Sequence, residues 1–375
     1  MLLLIVLASV TALFAPSLLY YAWMKSKAKK SWDLMSDNDY HPKVTLIIPT
    51  YNEASVISKK LENIQKIDYP EDKLQVILVD SASTDGTLAV CKSFLEGKPL
   101  RFPTKLLSEK SRMGKSHALN TALEFSHGEI IATSDADSFW ESDVLHKTIP
   151  FFADPSVGAV TGREELINLK QTVHTLSEGL YRKFYYTLRL GESKVHSTLI
   201  FQGELSLYRK SALEKFEDRA GCSDDTGTVI NIVSRGYRCI FIPEAVFHDT
   251  AAYSLHGRLM LKSRRAQHLV AGIMESLKLK AQGRLPLSSA IVLFNFYMHV
   301  ISPLLLVSTA FIVVLYFHTF WYLIPLVILP LLFKKSRVFM ISYLTSNLAL
   351  IIGLIHHFRG KKEVGWRKIE EMRAT

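Results

Sequence analysis

The chain has 375 residues, 45 Lys and Arg against 35 Asp and Glu, and a hydrophobic content of 48%. That length has room for one large domain or two smaller ones, and that hydrophobicity is high for a soluble enzyme. The net charge of +10 needs no nucleic acid, because the basic residues gather beside apolar segments in "KSKAKK" (25–30), "FKKSR" (333–337) and "FRGKKEVGWRK" (358–368), where anionic headgroups are the simpler partner.

The apolar excess is concentrated at the two ends. Residues 1–23, "MLLLIVLASVTALFAPSLLYYAW", exceed the roughly 7–15 apolar residues of a signal peptide core, and no basic residue precedes them. With "KSKAKK" following, the segment reads as an uncleaved anchor over 1–24 that leaves the N-terminus outside and a domain at 40–280 in the cytoplasm. Cys91, Cys222 and Cys239 make an odd count without CxxC spacing, which suits reduced thiols there and argues against a disulfide framework or a thiolate metal site.

The central region alternates strand and helix. "KVTLIIPTYNE" (43–53) reads as a strand ending in a turn, "SVISKKLENIQK" (55–66) has helical spacing through Val56, Ile57, Leu61 and Ile64, and "LQVILVDSASTDGT" (74–87) is a second strand. "TLAVCKSFLEG" is then a helix closed by Gly97, and "KSHALNTALEFSHG" (115–128) another closed by Gly128. Such alternation predicts a parallel sheet with ligands at the carboxyl ends of its strands. Those ends carry Pro49, Tyr51, Asn52 and Glu53, then Asp80, then Asp135 and Asp137 in "IIATSDADSFW" (130–140).

If the strand continues through Asp135 and Asp137, both carboxylates stand on one side, repel each other and call for a positive partner. Mg²⁺ or Mn²⁺ with oxygen ligands suits such a rim, and Arg112 and Lys115 in "SRMGKSHALN" add the basic groups a diphosphate would need. Two aspartates at a strand end can also be no more than a turn or a helix cap.

"IIPTYNE", "VILVDSASTDGT", "GKSHALNTAL" and "SDADS" stand in the order and approximate spacing of the family 2 glycosyltransferases. The resemblance covers residues 43–275. It implies an α/β class with a GT-A (Rossmann-like) fold, here flanked by N- and C-terminal transmembrane helices as in the membrane-bound branch of cellulose, chitin, hyaluronan and poly-N-acetylglucosamine synthases and ceramide glucosyltransferases. It also implies that Pro49, Tyr51, Glu53 and Asp80 hold the nucleotide base and ribose, that Lys115 approaches the phosphates, and that Asp135 with Asp137 binds nucleotide and metal.

"FQGELSLYRKSALEKF" (201–216) resembles the family's acceptor-side segment, a glycine-containing loop followed by a short strand and helix. "GCSDDTGTVINIVSRGYRCIFIPEAVFHDTA" (221–251) resembles the stretch with the catalytic base, which places that role on Asp225 beside Asp224. A carboxylate there can take the proton an acceptor hydroxyl loses as it attacks, although either aspartate can also merely cap a helix starting near Thr226. His248 follows the "FIPEAVF" strand, where its imidazole could complete a metal shell, although a lone His at a strand end is more often an ordinary hydrogen-bonded residue.

Where processive relatives have Q-x-x-R-W, this chain has "KSRRA" (262–266), with Ala266 in place of Trp. Arg265 can still neutralise a leaving diphosphate, helped by Lys262 or Arg264, but without the Trp platform transfer of one or a few sugars is favoured. A basic helix face reaching toward headgroups is the other reading of that run.

Residues 286–358 contain apolar stretches near 287–316, 318–333 and 338–355, two or three helices in all, the first expected to break near Pro303. The basic tail 359–375, with "GWRKIEEMR", is similar to a cytoplasmic ending in relatives and favours an even number of spans. The expected activity is inverting transfer from a nucleoside diphosphate sugar, UDP ahead of GDP, to a lipid-linked or glycan acceptor at the bilayer. A short-chain polysaccharide synthase and a scaffold with a degenerate nucleotide-binding domain are the alternatives.

Overall fold

The computed structural model describes residues 2–169, 171–218, 224–321, 329 and 331–360. Cys222, half of the 318–333 stretch and the "GWRKIEEMR" tail lie outside the described residues. One eight-stranded sheet organises the chain, in the order β3-β2-β1-β4-β7-β6-β8-β5.

Strands β1 (Val44–Thr50), β2 (Leu74–Asp80), β3 (Thr104–Ser108) and β4 (Ile130–Thr133) form the parallel half. Their crossovers are α2 (Ile57–Gln65), α3 (Thr87–Gly97) and α4 (Lys115–Leu123). Alternation sends side chains of one strand to opposite faces. Val44, Leu46 and Ile48 join one core with Ile57, Leu61 and Ile64 of α2, whereas Ile47 joins the other with Ala118, Leu119 and Ala122 of α4. Both faces of β1 are therefore covered, which explains its nearly continuous apolar sequence. The pairing of Thr50 with Asp80 aligns the carboxyl ends of β1 and β2 on one rim.

The remaining half is mixed. β5 (Phe139–Trp140) leads to α5 (Val144–Thr148) and β6 (Val157–Leu166), and β7 (Ser206–Arg209) runs antiparallel to both β4 and β6. Helix α7 (Thr226–Ser234) precedes β8 (Arg238–Asp249), which lies parallel to β6. Two long helices, α6 (Val173–Val195) and α8 (Leu255–Ala281), complete this half.

Several sequence expectations are corrected. α4 ends at Leu123, ahead of Gly128. Gly128 serves the sheet instead, because a Cβ there would lie 2.4 Å from the Thr45 backbone nitrogen. The helix expected at the end of the 201–216 segment does not form, and residues 211–216 are turns and irregular chain. Asp135 and Asp137 lie beyond the end of β4, in the loop to β5, so strand alternation does not set their directions.

Among the described residues three helices are long and apolar enough to cross a membrane: Leu4–Ala28 within α1 (Leu2–Ala28), Ser289–Leu315, and α12 (Lys334–Phe358). The second comprises α9 (Ser289–Phe296), a π-helical turn at Tyr297–Ile301 and α10 (Ser302–Leu315), with α11 (Phe317–Phe320) after it. The expected break near Pro303 does not occur. Pro303 stands in the first turn of α10, where a missing N–H is tolerated, and the π turn takes up the extra residue.

Glycines bring two of these helices against α6 and α8. A Cβ at Gly191 of α6 would lie 2.4 Å from the Met24 carbonyl oxygen of α1. A Cβ at Gly353 of α12 would lie 2.9 Å from Ala266 Cβ of α8. The small residue at 266 is thus a packing requirement, since an indole in that place would displace α12. Tyr20, Met24 and Leu188 bury together on the α1 side, and Ala266, Val270 and Ile273 with Ala349 and Leu354 on the α12 side.

Candidate active site

Local turn chemistry shapes the rim of the parallel strands. Asn52 adopts φ 56, a left-handed conformation that Asn accepts better than most residues, and its Oδ1 accepts a 2.7 Å hydrogen bond from the Thr84 N–H. Asp80 Oδ2 accepts from the Ser83 N–H at 3.1 Å, while its buried Oδ1 has no hydrogen-bond partner among the described residues. The Arg112 guanidinium lies 3.8 Å from the Tyr51 ring centroid. Pro49, Tyr51, Glu53 and Asp80 thus share one rim and pair two extended loops.

The aspartate-bearing loop rests on a buried lysine. Lys60 of α2 is 1% exposed and donates to Ser134 Oγ at 2.6 Å and to the Ser138 carbonyl at 2.5 Å. Burial lowers its pKa to about 7 against the opposing charges of Asp135 and Asp137. The sequence signal was present, because Lys60 falls at i+3 from Ile57 on the apolar stripe of α2.

The positive partner of Asp135 is Lys115. Its Nζ stands 2.6 Å from Asp135 Oδ1 and 3.3 Å from Asp224 Oδ2. Lys115 opens α4 directly after Gly114, whose φ of 101 favours glycine. Gly203 leaves room for the meeting: a Cβ there would be 2.9 Å from Lys115 Nζ, 3.7 Å from Asp224 Oδ2 and 3.8 Å from Asp225 Oδ2. Burial and the Glu204 and Asp137 charges outweigh Lys115, and Asp135 is pushed up to about 6. Asp225 is the N-cap of α7, its Oδ1 accepting from the Thr226 N–H at 2.5 Å.

A second group of acids was not legible as a unit. One carboxylate oxygen each from Glu164, Glu204 and Asp249 lie within 4.8 Å of one another. Glu164 contacts Arg182 and accepts from Gln202 Nε2 at 2.9 Å, and Glu204 Oε1 accepts from Arg265 Nη2 at 2.9 Å. Burial, then Asp137 and Glu204, raise Asp249 to about 8. On β8, successive residues face opposite ways. Asp249 therefore lines the cavity, whereas His248 points its imidazole toward Glu141 at 3.6 Å. Glu204 was visible within "FQGE", but only the fold brings it to β6 and β8.

A cavity of about 500 Å³ gathers much of this chemistry. Lys115, Asp135, Asp225 and Arg265 line it, together with Asp224, Glu204 and Asp249. Pro49, Tyr51, Glu53, Asp80 and Asp137 are not among its lining residues: Pro49 and Asp80 stand at the carboxyl ends of β1 and β2, and Tyr51, Glu53 and Asp137 in the loops that follow β1 and β4. α6 and α8 form the opposite walls, and Ser346, Ala349 and Leu350 of α12 close one side.

Comparison with known proteins places this arrangement. Residues 45–216 match the family model described as Glycosyl transferase family 2. A solved structure of the mannosyltransferase PcManGT from Pyrobaculum calidifontis, in complex with GDP-Man and Mn²⁺, superposes with a TM-score of 0.83 at 34% identity, covering 96% of this chain and 100% of that one. The chain is a family 2 glycosyltransferase. Its sheet is the GT-A sheet, as the motifs led one to expect.

Other relatives of this glycosyltransferase are partial. It is 30% identical over 210 residues to the probable glycosyltransferase YdaM of Bacillus subtilis (strain 168), which covers 55% of this chain and 50% of that protein. It is 32% identical over 139 residues to the beta-monoglucosyldiacylglycerol synthase of Synechocystis sp. (strain ATCC 27184 / PCC 6803 / Kazusa), covering 37% of this chain and 29% of that protein. The glycosyltransferase thus spans about half, or less, of the length of these curated relatives.

Proposed function

We propose that the protein is a membrane-embedded, metal-dependent, inverting glycosyltransferase that moves a sugar from a nucleoside diphosphate sugar to an acceptor at the bilayer. One observation carries this reading: a single cavity joins the Lys115, Asp135 and Asp225 cluster to the wall of α12, a helix long and apolar enough to cross a membrane. The bilayer is then a partner, with α1 over residues 1–24 and the 286–358 region as anchors around a catalytic domain at 40–280. The basic flank after α1 favours a cytoplasmic domain.

The donor side is the rim of β1 and β2. Pro49, Tyr51, Glu53 and Asp80 would hold base and ribose, and the unpartnered Oδ1 of Asp80 is an acceptor suited to a ribose hydroxyl. The GDP-Man of the Pyrobaculum mannosyltransferase favours a guanine nucleotide over the uridine expected from sequence.

The residues present fit a divalent cation. Lys115 already supplies Asp135 with a cationic partner, and burial beside Asp137 and Glu204 leaves Asp249 short of positive charge. Asp135 and Asp137 would hold Mn²⁺ or Mg²⁺, with Asp249 close by. Bound there, the cation supplies charge stabilisation for the diphosphate. Arg265, whose pKa is raised chiefly by Glu204 against the effect of burial, stays charged and faces the leaving group from α8. Asp225 accepts the acceptor hydroxyl's proton on the Gly203 side while its other oxygen holds the α7 N-terminus. Attack on the face opposite the leaving diphosphate inverts the anomeric centre in one displacement.

Thermal melting with a panel of GDP- and UDP-sugars, each with and without Mn²⁺, tests this. A ligand at a hundred times its Kd stabilises by about 2.7 kcal/mol. A Mn²⁺-dependent rise with GDP-mannose is the expected result, and no rise with any nucleotide sugar would overturn the reading.

A further inference from the structure

Helix α2 buries Ile57, Lys60, Leu61 and Ile64. Position 60 lies on the stripe that packs against the sheet, where a leucine would serve packing alone, whereas an ammonium gives up its hydration. Lys60 takes neutral partners there, donating to Ser134 Oγ at 2.6 Å and to the Ser138 carbonyl at 2.5 Å. Packing of the core does not call for a lysine, so its reason lies in what it holds.

Ser134 and Ser138 bracket the loop that carries Asp135 and Asp137. One ammonium thus ties both ends of that loop to a single helix. The loop also closes on itself, with Ser134 Oγ 3.2 Å from Ser138 Oγ and Ser138 Oγ donating to the Asp135 carbonyl at 3.2 Å. At i+3 from Lys60, Asn63 grips Trp140 at two points: its Nδ2 donates to the Trp140 carbonyl at 2.8 Å and its Oδ1 accepts from the Trp140 N–H at 2.9 Å. The Trp140 indole N–H donates to the Glu204 carbonyl at 2.9 Å, and the Glu204 carboxylate accepts from Arg265 at 2.9 Å. Side chains outside the cavity lining therefore brace α2 both to the aspartates and to the segment that holds Arg265.

Two roles compete for Lys60, and they have opposite signs. As a counter-charge, the ammonium offsets the field of Asp135 and Asp137 and opposes a cation bound to them, so neutralising it should tighten cation binding. As a clamp, it fixes loop ends whose release would let two carboxylates that must converge on one ion turn apart, so removing it should weaken cation binding. The geometry favours the clamp, because the ammonium bonds to the loop's neutral oxygens and leaves its carboxylates to the rim.

We propose that Lys60 is a positioning residue for the transfer reaction, clamping the aspartate loop at Ser134 and Ser138 so that Asp135 and Asp137 meet the divalent cation and the donor diphosphate together. The proposal rests on the metal-dependent donor reading above and adds to it a residue that touches neither donor nor cation.

The test uses the full chain in nanodiscs as the parent, Lys60→Met and Ser134→Ala. Mn²⁺ is titrated in the presence of GDP-mannose and followed by the loss of the free Mn²⁺ signal in electron paramagnetic resonance, and each protein is also melted without ligand. Lys60→Met should bind Mn²⁺ about tenfold or more weakly than the parent, as for other groups that orient metal ligands from behind. Ser134→Ala keeps the ammonium but removes one of its two acceptors, and should weaken Mn²⁺ binding by about two- to tenfold, the worth of a single hydrogen bond. Equal or tighter Mn²⁺ binding in Lys60→Met would overturn the proposal and leave Lys60 a counter-charge. If Lys60→Met does not fold, Ser134→Ala decides alone, and parent-like affinity there would overturn the clamp. Weakening confined to a variant that has also lost its cooperative melt would be a folding effect and would overturn it too. A parent that binds no Mn²⁺ with GDP-mannose would sink the donor reading and this inference with it, whereas a parent that binds, matched by both variants, would sink the inference only.

Discussion

Lys115 Nζ lies 2.6 Å from Asp135 Oδ1, and both side chains are nearly buried, so an ammonium already neutralises the carboxylate that the metal reading needs. Removing one partner of a buried pair strands the other charge, at about 3–5 kcal/mol. Lys115→Met should therefore lower the melting temperature markedly. A divalent cation at Asp135 would replace the lost charge, so Mn²⁺ should restore more stability to Lys115→Met than to the parent. Equal Mn²⁺ shifts in parent and variant would mean that the cation binds away from Asp135.

Asp137→Asn changes ligand charge at nearly constant volume. Asp137 bears on Lys60, Asp135 and Asp249, so the variant should keep the fold while losing Mn²⁺-dependent donor binding by tenfold or more. Chelation with EDTA should bring the parent to the level of the variant. Unchanged Mn²⁺ dependence in Asp137→Asn would remove the residue from the metal site.

Lys60 gives a pH test away from the cavity. Its pKa is lowered by burial to about 7 in the folded chain, whereas the unfolded chain keeps the ordinary lysine value of about 10.4. Between those values the unfolded state binds more protons, so this group makes stability rise with pH, and its penalty is fully present below about pH 7. The ceiling is about 1.4 kcal/mol per pH unit. Melting of the parent minus that of Lys60→Met, followed from pH 7 to 9, should rise with pH. A flat difference would mean that Lys60 stays charged under the loop.

The strands and the rim were legible because periodicity and turn residues act locally. The run "VTLIIPT" is buried on both faces and reads as a strand wherever it stands. Gly128 misled for a physical reason: its demand is a close tertiary approach to β1, which looks the same in sequence as a helix stop. Asp135 was found, but its strand geometry was not, since β4 stops at Thr133 and the loop takes its shape from Lys60, Ser134 and Ser138. Glu204 and Asp249 come from separate segments, and only the order β7-β6-β8 makes them neighbours. The missing Trp looked like a loss of sugar stacking, yet Ala266 is equally required by the approach of Gly353.

Deleting residues 1–24 should leave the protein in the membrane, because Ser289–Leu315 and Lys334–Phe358 remain. It should nevertheless be destabilised. The deletion removes Tyr20, whose hydroxyl donates to buried Glu192 at 2.6 Å, and Met24, against which Gly191 packs. The loss of a buried hydrogen bond to a carboxylate and of one packed face amounts to roughly 2–4 kcal/mol. Carbonate washing followed by melting in detergent checks both parts. A truncated protein released by carbonate would overturn the assignment of the two C-terminal helices.

Asp225 separates catalysis from capping. Its Oδ1 accepts from the Thr226 N–H at 2.5 Å, so the capping role is present, and the base assignment stands only if the residue does more than cap. Asn caps nearly as well as Asp, since its side-chain carbonyl can accept the same N–H. It cannot take up a proton from an attacking hydroxyl. Asp225→Asn should therefore melt within about 1 kcal/mol of the parent and bind the donor with nearly unchanged affinity. Turnover should fall by about 10² to 10⁴, the range for losing acid–base catalysis. Ala would remove cap and base together and could not distinguish them. Donor affinity by calorimetry, paired with initial rates on the same preparation, decides the matter: parent-like turnover in Asp225→Asn would reduce the residue to a helix cap and send the search for the base to Asp224, 3.3 Å from Lys115.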